Sequence, residues 1–201
     1  MTPAKSDLRR ILPIQQILLH SLIPVACSAA IGFLISRWGK FGSYPYVLQF
    51  VMDAATASFF FYALTYLRRR DAYAVLLVLF LLTLLVTKST RPMYVLRDLL
   101  NTGGIAAAVL LYARLLRKDP DWQHQYYGLV FSGIMGLCNS AAWCLQLFFV
   151  QYVFTKHQPV DFLRFVSFAG FVGFFVGLGV GVGIVFNRSV FGDARSAMTS
   201  A

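Results

Sequence analysis

Six apolar stretches, each close to the length of a membrane-crossing helix and separated by short charged breaks, constrain this chain more than any other feature. They run from Pro13 to Ser36, Tyr46 to Leu67, Ala72 to Thr87, Val95 to Ala113, Tyr127 to Val153 and Phe162 to Phe186. A helix needs about 20 apolar residues to cross the roughly 30 Å hydrocarbon layer. The third stretch is the shortest, but its Leu and Val content is dense enough to insert. Lipid-crossing β-strands are excluded, because these runs are too long and show no alternation. The sequence therefore predicts an all-α polytopic integral membrane protein, with residues 1–201 forming a single six-helix transmembrane domain.

Composition points the same way. The chain is 58% hydrophobic and 13% charged, whereas a soluble domain is about a quarter charged. The net charge of +10 is not a nucleic-acid footprint, which would gather Lys and Arg on one polar face. Here the cations fall between the apolar runs, where they set topology and meet anionic lipid headgroups. Counting on alternate sides places eleven Lys and Arg with the termini and seven opposite. The bias predicts both termini on the cytoplasmic side. Tyr44, Tyr46, Tyr66 and Trp122 fall where aromatic belts sit at membrane surfaces. The basic start and apolar run at the N-terminus imitate a signal peptide, but Gln15, Gln16, His20 and Pro24 favour an uncleaved first span.

Small residues recur every four positions in the last two spans. Ala169, Gly173, Gly177 and Gly181 make one series; Gly128, Ser132, Gly136, Ser140 and Cys144 make the other. Such ladders let helix backbones approach closely. They serve packing within the chain, or self-association and contact with other membrane subunits. Cys27, Cys138 and Cys144 lie within apolar runs without metal-ligand spacing, as small hydrophobes do.

Polar residues at membrane depth are the candidates for function, because lipid makes them expensive. Asp53 comes first: a central Asp costs about 2.5–3.5 kcal/mol on insertion scales. A partner, a water-filled cavity or protonation must offset that cost. Gln49 and Thr56 share its helix face. At 1.5 Å per residue, Asp53 and Asn101 lie about 5 Å to the outer side of the midplane and Asn139 near the centre. The three are expected to form one polar layer. His20 lies about 7 Å to the inner side, so a direct bond to Asp53 is not expected; a water chain could link the two, or His20 could serve a structural hydrogen bond. Pro24 lacks the N–H that would bond the His20 carbonyl, which frees that oxygen for a neighbour or a ligand. Arg97 and Asp98 are expected to pair with headgroups or each other, and His124 and His157 to sit in solvated loops.

Several chemistries have no support. A bis-His haem needs paired membrane histidines, and His20 is alone at depth. An intramembrane aspartyl protease needs two facing Asp, whereas only Asp53 is central. No serine elbow, phosphate loop or zinc spacing is present, so neither an enzyme nor a cofactor or metal is expected. The six-helix plan is similar to that of the substrate-binding subunits of energy-coupling-factor importers, with Ala26 and Ala30 as a small-xxx-small pair. Accessory subunits of respiratory or photosynthetic complexes share the plan too, so it implies no ligand. The leading expectation is a small membrane transport or ligand-binding protein with a polar site near mid-bilayer. The alternative is a non-catalytic subunit of a larger membrane complex.

Overall fold

A computed structural model describes residues 5–38, 45–87, 92–118, 126–149 and 162–191. The positions named above as Tyr44, Trp122, His124, His157 and the end of the fifth stretch at 150–153 lie outside the described residues. Six helices account for almost all of what is described: α1 (Lys5–Trp38), α2 (Pro45–Tyr66), α3 (Arg69–Thr87), α4 (Pro92–Lys118), α5 (Tyr127–Phe149) and α6 (Phe162–Phe191). Each contains a segment long and apolar enough to cross a membrane. Helix is the form such segments must take, because it satisfies every interior backbone N–H and C=O within the segment.

The apolar surface is distributed as lipid requires. Leu77, Leu81 and Leu85 on α3, Leu137 and Leu145 on α5 and Phe171 and Val182 on α6 all face outward. A soluble monomer rarely exposes contiguous apolar patches beyond a few hundred Å². Such an outer surface, on six helices long and apolar enough to cross a membrane, is compatible with a multi-pass membrane protein. α3 is the most peripheral helix, and among its residues only Ala72 is buried. It follows α2 through a tight break at Arg68, whose carbonyl accepts the N–H groups of Asp71 and Ala72. Asp71 in the first turn of α3 also suits the positive end of the helix dipole.

α6 is the packing centre, lying against α5, α1 and α2. It carries two glycine ladders about 200° apart around its axis, as the two-residue offset between Gly177 and Gly179 dictates at 100° per residue. One ladder meets α5. A β-carbon on Gly177 would lie 2.7 Å from the Met135 β-carbon and 2.9 Å from the Ser132 α-carbon. One on Gly173 would meet Asn139 and Met135, and one on Gly181 would meet Gly128. Gly136 lies in turn against Gly170 and Phe174 of α6. The other ladder meets α1, where β-carbons on Gly179 and Gly183 would overlap Ser28 and Pro24. Backbones this close gain dispersion contacts, which lipid cannot supply as a hydrophobic force between helices. The Gly173–Gly177–Gly181 series is therefore filled within the chain.

Between the helices, Phe60, Ile105, Val109, Tyr112, Phe131, Met135, Val176 and Val180 are fully enclosed. Contacts join the late part of α1 to the early part of α2, the end of α3 to the start of α4, and the start of α5 to the late part of α6, so successive helices in these pairs run antiparallel. Residues early in α2, α4 and α6 thus share one end of the bundle with residues late in α5. It is the end opposite to the start of α1 and the finish of α6.

Candidate functional site

At that end α2, α4, α5 and α6 line a cavity of about 190 Å³. Its polar walls are Gln49 and Asp53 from α2, Arg97, Asp98 and Asn101 from α4, and Asn139 from α5. Phe50, Trp143, Phe168, Ala169 and Val172 complete it. Helix periodicity explains who takes part. Gln49 and Asp53, Arg97 and Asn101, and Asn139 and Trp143 are each four residues apart, so each pair occupies one helix face.

Asp53 is the centre of the polar wall and is 4% exposed. Gln49 Nε2 and Asn101 Nδ2 both donate to its Oδ1, each at 2.8 Å. The first bond stiffens one turn of α2, and the second ties α2 to α4. No described residue donates to Oδ2. Asn139, 3% exposed, donates through Nδ2 to the Ala169 carbonyl at 2.8 Å. A carbonyl can only accept, so this bond fixes which end of the amide is nitrogen. Asn139 Oδ1 is buried and has no hydrogen-bond partner.

The remaining two charges occupy each other. Arg97 Nε donates to Asp98 Oδ1 at 2.8 Å, and the Thr87 hydroxyl of α3 donates to Asp98 Oδ2 at the same distance. The Arg97 guanidinium also lies 5.2 Å from the centre of the Tyr94 ring, within cation–π range. Arg97 and Asp98 pair as expected, but they do so on the cavity wall. Three and four residues before Asn101, they lie on its helix face; that spacing was the signal for their place here. Trp143 carried the corresponding signal from Asn139.

Two sequence candidates lie away from this cavity. The Thr56 hydroxyl donates to the Met52 carbonyl of its own helix at 2.9 Å. His20 belongs to a separate cluster at the other end of the bundle. Its Nδ1 lies 2.7 Å from the Gln16 carbonyl, and its ring lies 5.5 Å from that of Tyr62 and 5.6 Å from that of Tyr66. The carbonyl that Pro24 frees is taken by Asn187 of α6, whose Nδ2 donates to it at 2.6 Å. The same amide nitrogen donates to the Tyr62 hydroxyl at 2.7 Å. Asn187 thus clasps α1, α2 and α6, a role that a polar residue at the far end of an apolar helix did not advertise.

Comparison with protein-family models, curated proteins and solved structures returned no match. The functional reading therefore rests on the chain's own geometry. Among the described residues, no three His, Cys, Asp or Glu side chains converge in a way that could hold a metal ion.

Proposed function

We propose that this chain is a small membrane transport or ligand-binding protein whose solute site is the cavity around Asp53. In this reading both termini lie on the cytoplasmic side, and the cavity belongs to the opposite half of the membrane. The observation that carries it is one buried carboxylate, bonded by amide side chains of α2 and α4, beside a cavity of about 190 Å³ that Asn139 of α5 also lines. Amide bonds between helices contribute only about 0.6 kcal/mol each on average in membranes. Asp53 has one such bond, from Asn101, and one within α2, from Gln49; together these do not offset the insertion cost of an Asp, about 2.5–3.5 kcal/mol. A solute that uses the carboxylate supplies a reason to retain it.

The test is a thermal-stability screen of the purified full chain in lipid nanodiscs against small cations, organic ammonium salts, polyols and carboxylates. A solute binding the folded state at a hundred times its Kd stabilises it by about 2.7 kcal/mol. The expected result is stabilisation by at least one solute class that disappears in Asp53→Asn. No Asp53-dependent stabilisation, together with a stoichiometric set of co-purifying membrane proteins, overturns this reading in favour of a non-catalytic subunit.

A further inference from the structure

The charge balance and the aromatic lining of the cavity narrow the ligand, granted the solute-site reading above. Gln49 and Asn101 spend an amide N–H on Asp53, and Asn139 spends one on Ala169. Each amide nitrogen carries two N–H groups and so keeps one; the wall carboxylate oxygen without a donor among the described residues is Asp53 Oδ2, since both amides that reach Asp53 donate to Oδ1. Arg97 has its charge balanced by Asp98, which accepts from its Nε, and its guanidinium lies near the Tyr94 ring. With Asp53, Arg97 and Asp98 on the wall, ionised side chains leave one negative charge in excess. That excess matches one monovalent cation.

The rest of the wall is not built for a bare metal ion. Hard metal cations collect six or more oxygens in a close shell, whereas here Phe50, Trp143, Phe168 and Val172 occupy a large share of the lining. Aromatic faces attract organic cations, Trp most strongly. A cavity of about 150 Å³ accommodates a benzene-sized molecule, so about 190 Å³ suits a cation of six or so heavy atoms. We infer that the cavity takes a small organic ammonium ion, its N–H groups directed to Asp53 and its hydrocarbon portion to Trp143 and the neighbouring phenylalanines.

Calorimetric titration of the full chain in zwitterionic nanodiscs tests this, with empty discs subtracted. The probes are n-butylammonium, n-butanol, butyrate, sodium and potassium, all as chlorides or sodium salts where charged. The expected result is saturable 1:1 binding of butylammonium, with butanol and butyrate at least about a hundredfold weaker, as two units of 1.4 kcal/mol imply. Asp53→Asn is expected to weaken butylammonium by a similar factor. That variant can still accept from Gln49 and Asn101 through its amide oxygen, but it presents N–H groups where Oδ2 stood. Trp143→Leu is expected to weaken butylammonium about 2- to 30-fold, the range of a cation–π contact, with sodium and potassium unaffected. Preference for sodium, potassium, butanol or butyrate, or no binding of any probe, overturns the ammonium assignment. The solute-site reading survives that outcome if another solute in the stability screen depends on Asp53, and falls with it if none does.

Discussion

The clasp between α1 and α6 offers a sharp test of the packing, through the proline that makes it necessary. In an unbroken helix the N–H of residue 24 would bond the His20 carbonyl; Pro24 has none. Asn187 supplies the missing donor at 2.6 Å and reaches the Tyr62 hydroxyl at 2.7 Å. Asn187→Leu removes both bonds. At about 0.6 kcal/mol on average and about 1.7 at most per interhelical bond in membranes, the expected loss is about 1–3 kcal/mol. Asn187 Oδ1 has no partner, so relieving its burial trims that loss. Pro24→Ala returns a backbone N–H to position 24, which closes on the His20 carbonyl from within α1. In that background Asn187→Leu forfeits only the Tyr62 bond. Its cost is therefore expected to fall by about 0.6–1.7 kcal/mol, the worth of the one bond that differs. The assay is a double-mutant cycle on reversible unfolding in mixed micelles, followed by helical circular dichroism. The Tyr62 bond is lost in both backgrounds and cancels, so the cycle isolates the carbonyl. Additivity within about 0.3–0.5 kcal/mol, the tolerance for independent sites, would refute the clasp.

Two further expectations use the same assay. Asp53→Asn keeps an acceptor for Gln49 and Asn101 and is expected to change stability by under about 1 kcal/mol, whereas Asp53→Leu strands both amides and costs about 1–3 kcal/mol; equal effects would mean these bonds are not made. Gly177→Ala drives a β-carbon into Met135 and Ser132 and is expected to cost about 1–3 kcal/mol as overpacking does. Gly133→Ala meets nothing within 4 Å and is expected to be neutral or stabilising by up to about 1 kcal/mol through helix propensity. Similar losses at the two glycines would contradict the α5–α6 seam.

Part of the site is legible in the sequence. Depth along a helix follows from residue count, so Asp53, Asn101 and Asn139 can be assigned to neighbouring levels, and Gln49 can be added as the residue one turn from Asp53. Thr56 marks the limit of counting. It shares a face with Asp53 by number, yet its hydroxyl returns to the Met52 carbonyl, as threonine in a helix readily does. Depth alone assigns Arg97 and Asp98 to the interface; their rotation about α4 brings them onto the cavity wall.

Apolar run length and the need to pair every backbone group in lipid were enough to establish six helices and an all-helical class. Four-residue spacing of small side chains was enough to mark α6 and α5 as closely packing helices. The missing N–H of Pro24 was enough to say that the His20 carbonyl needed another donor. Tertiary structure alone decided that Asn187 is that donor. It also decided that α6 divides its glycines between α5 and α1, and that Gln49 and Asn101 donate to Asp53 while Asn139 donates to Ala169. The reason is physical. Periodicity fixes a residue's height and its face relative to its own helix, but lipid leaves each helix free to rotate until backbone contacts and hydrogen bonds to specific neighbours choose the angle.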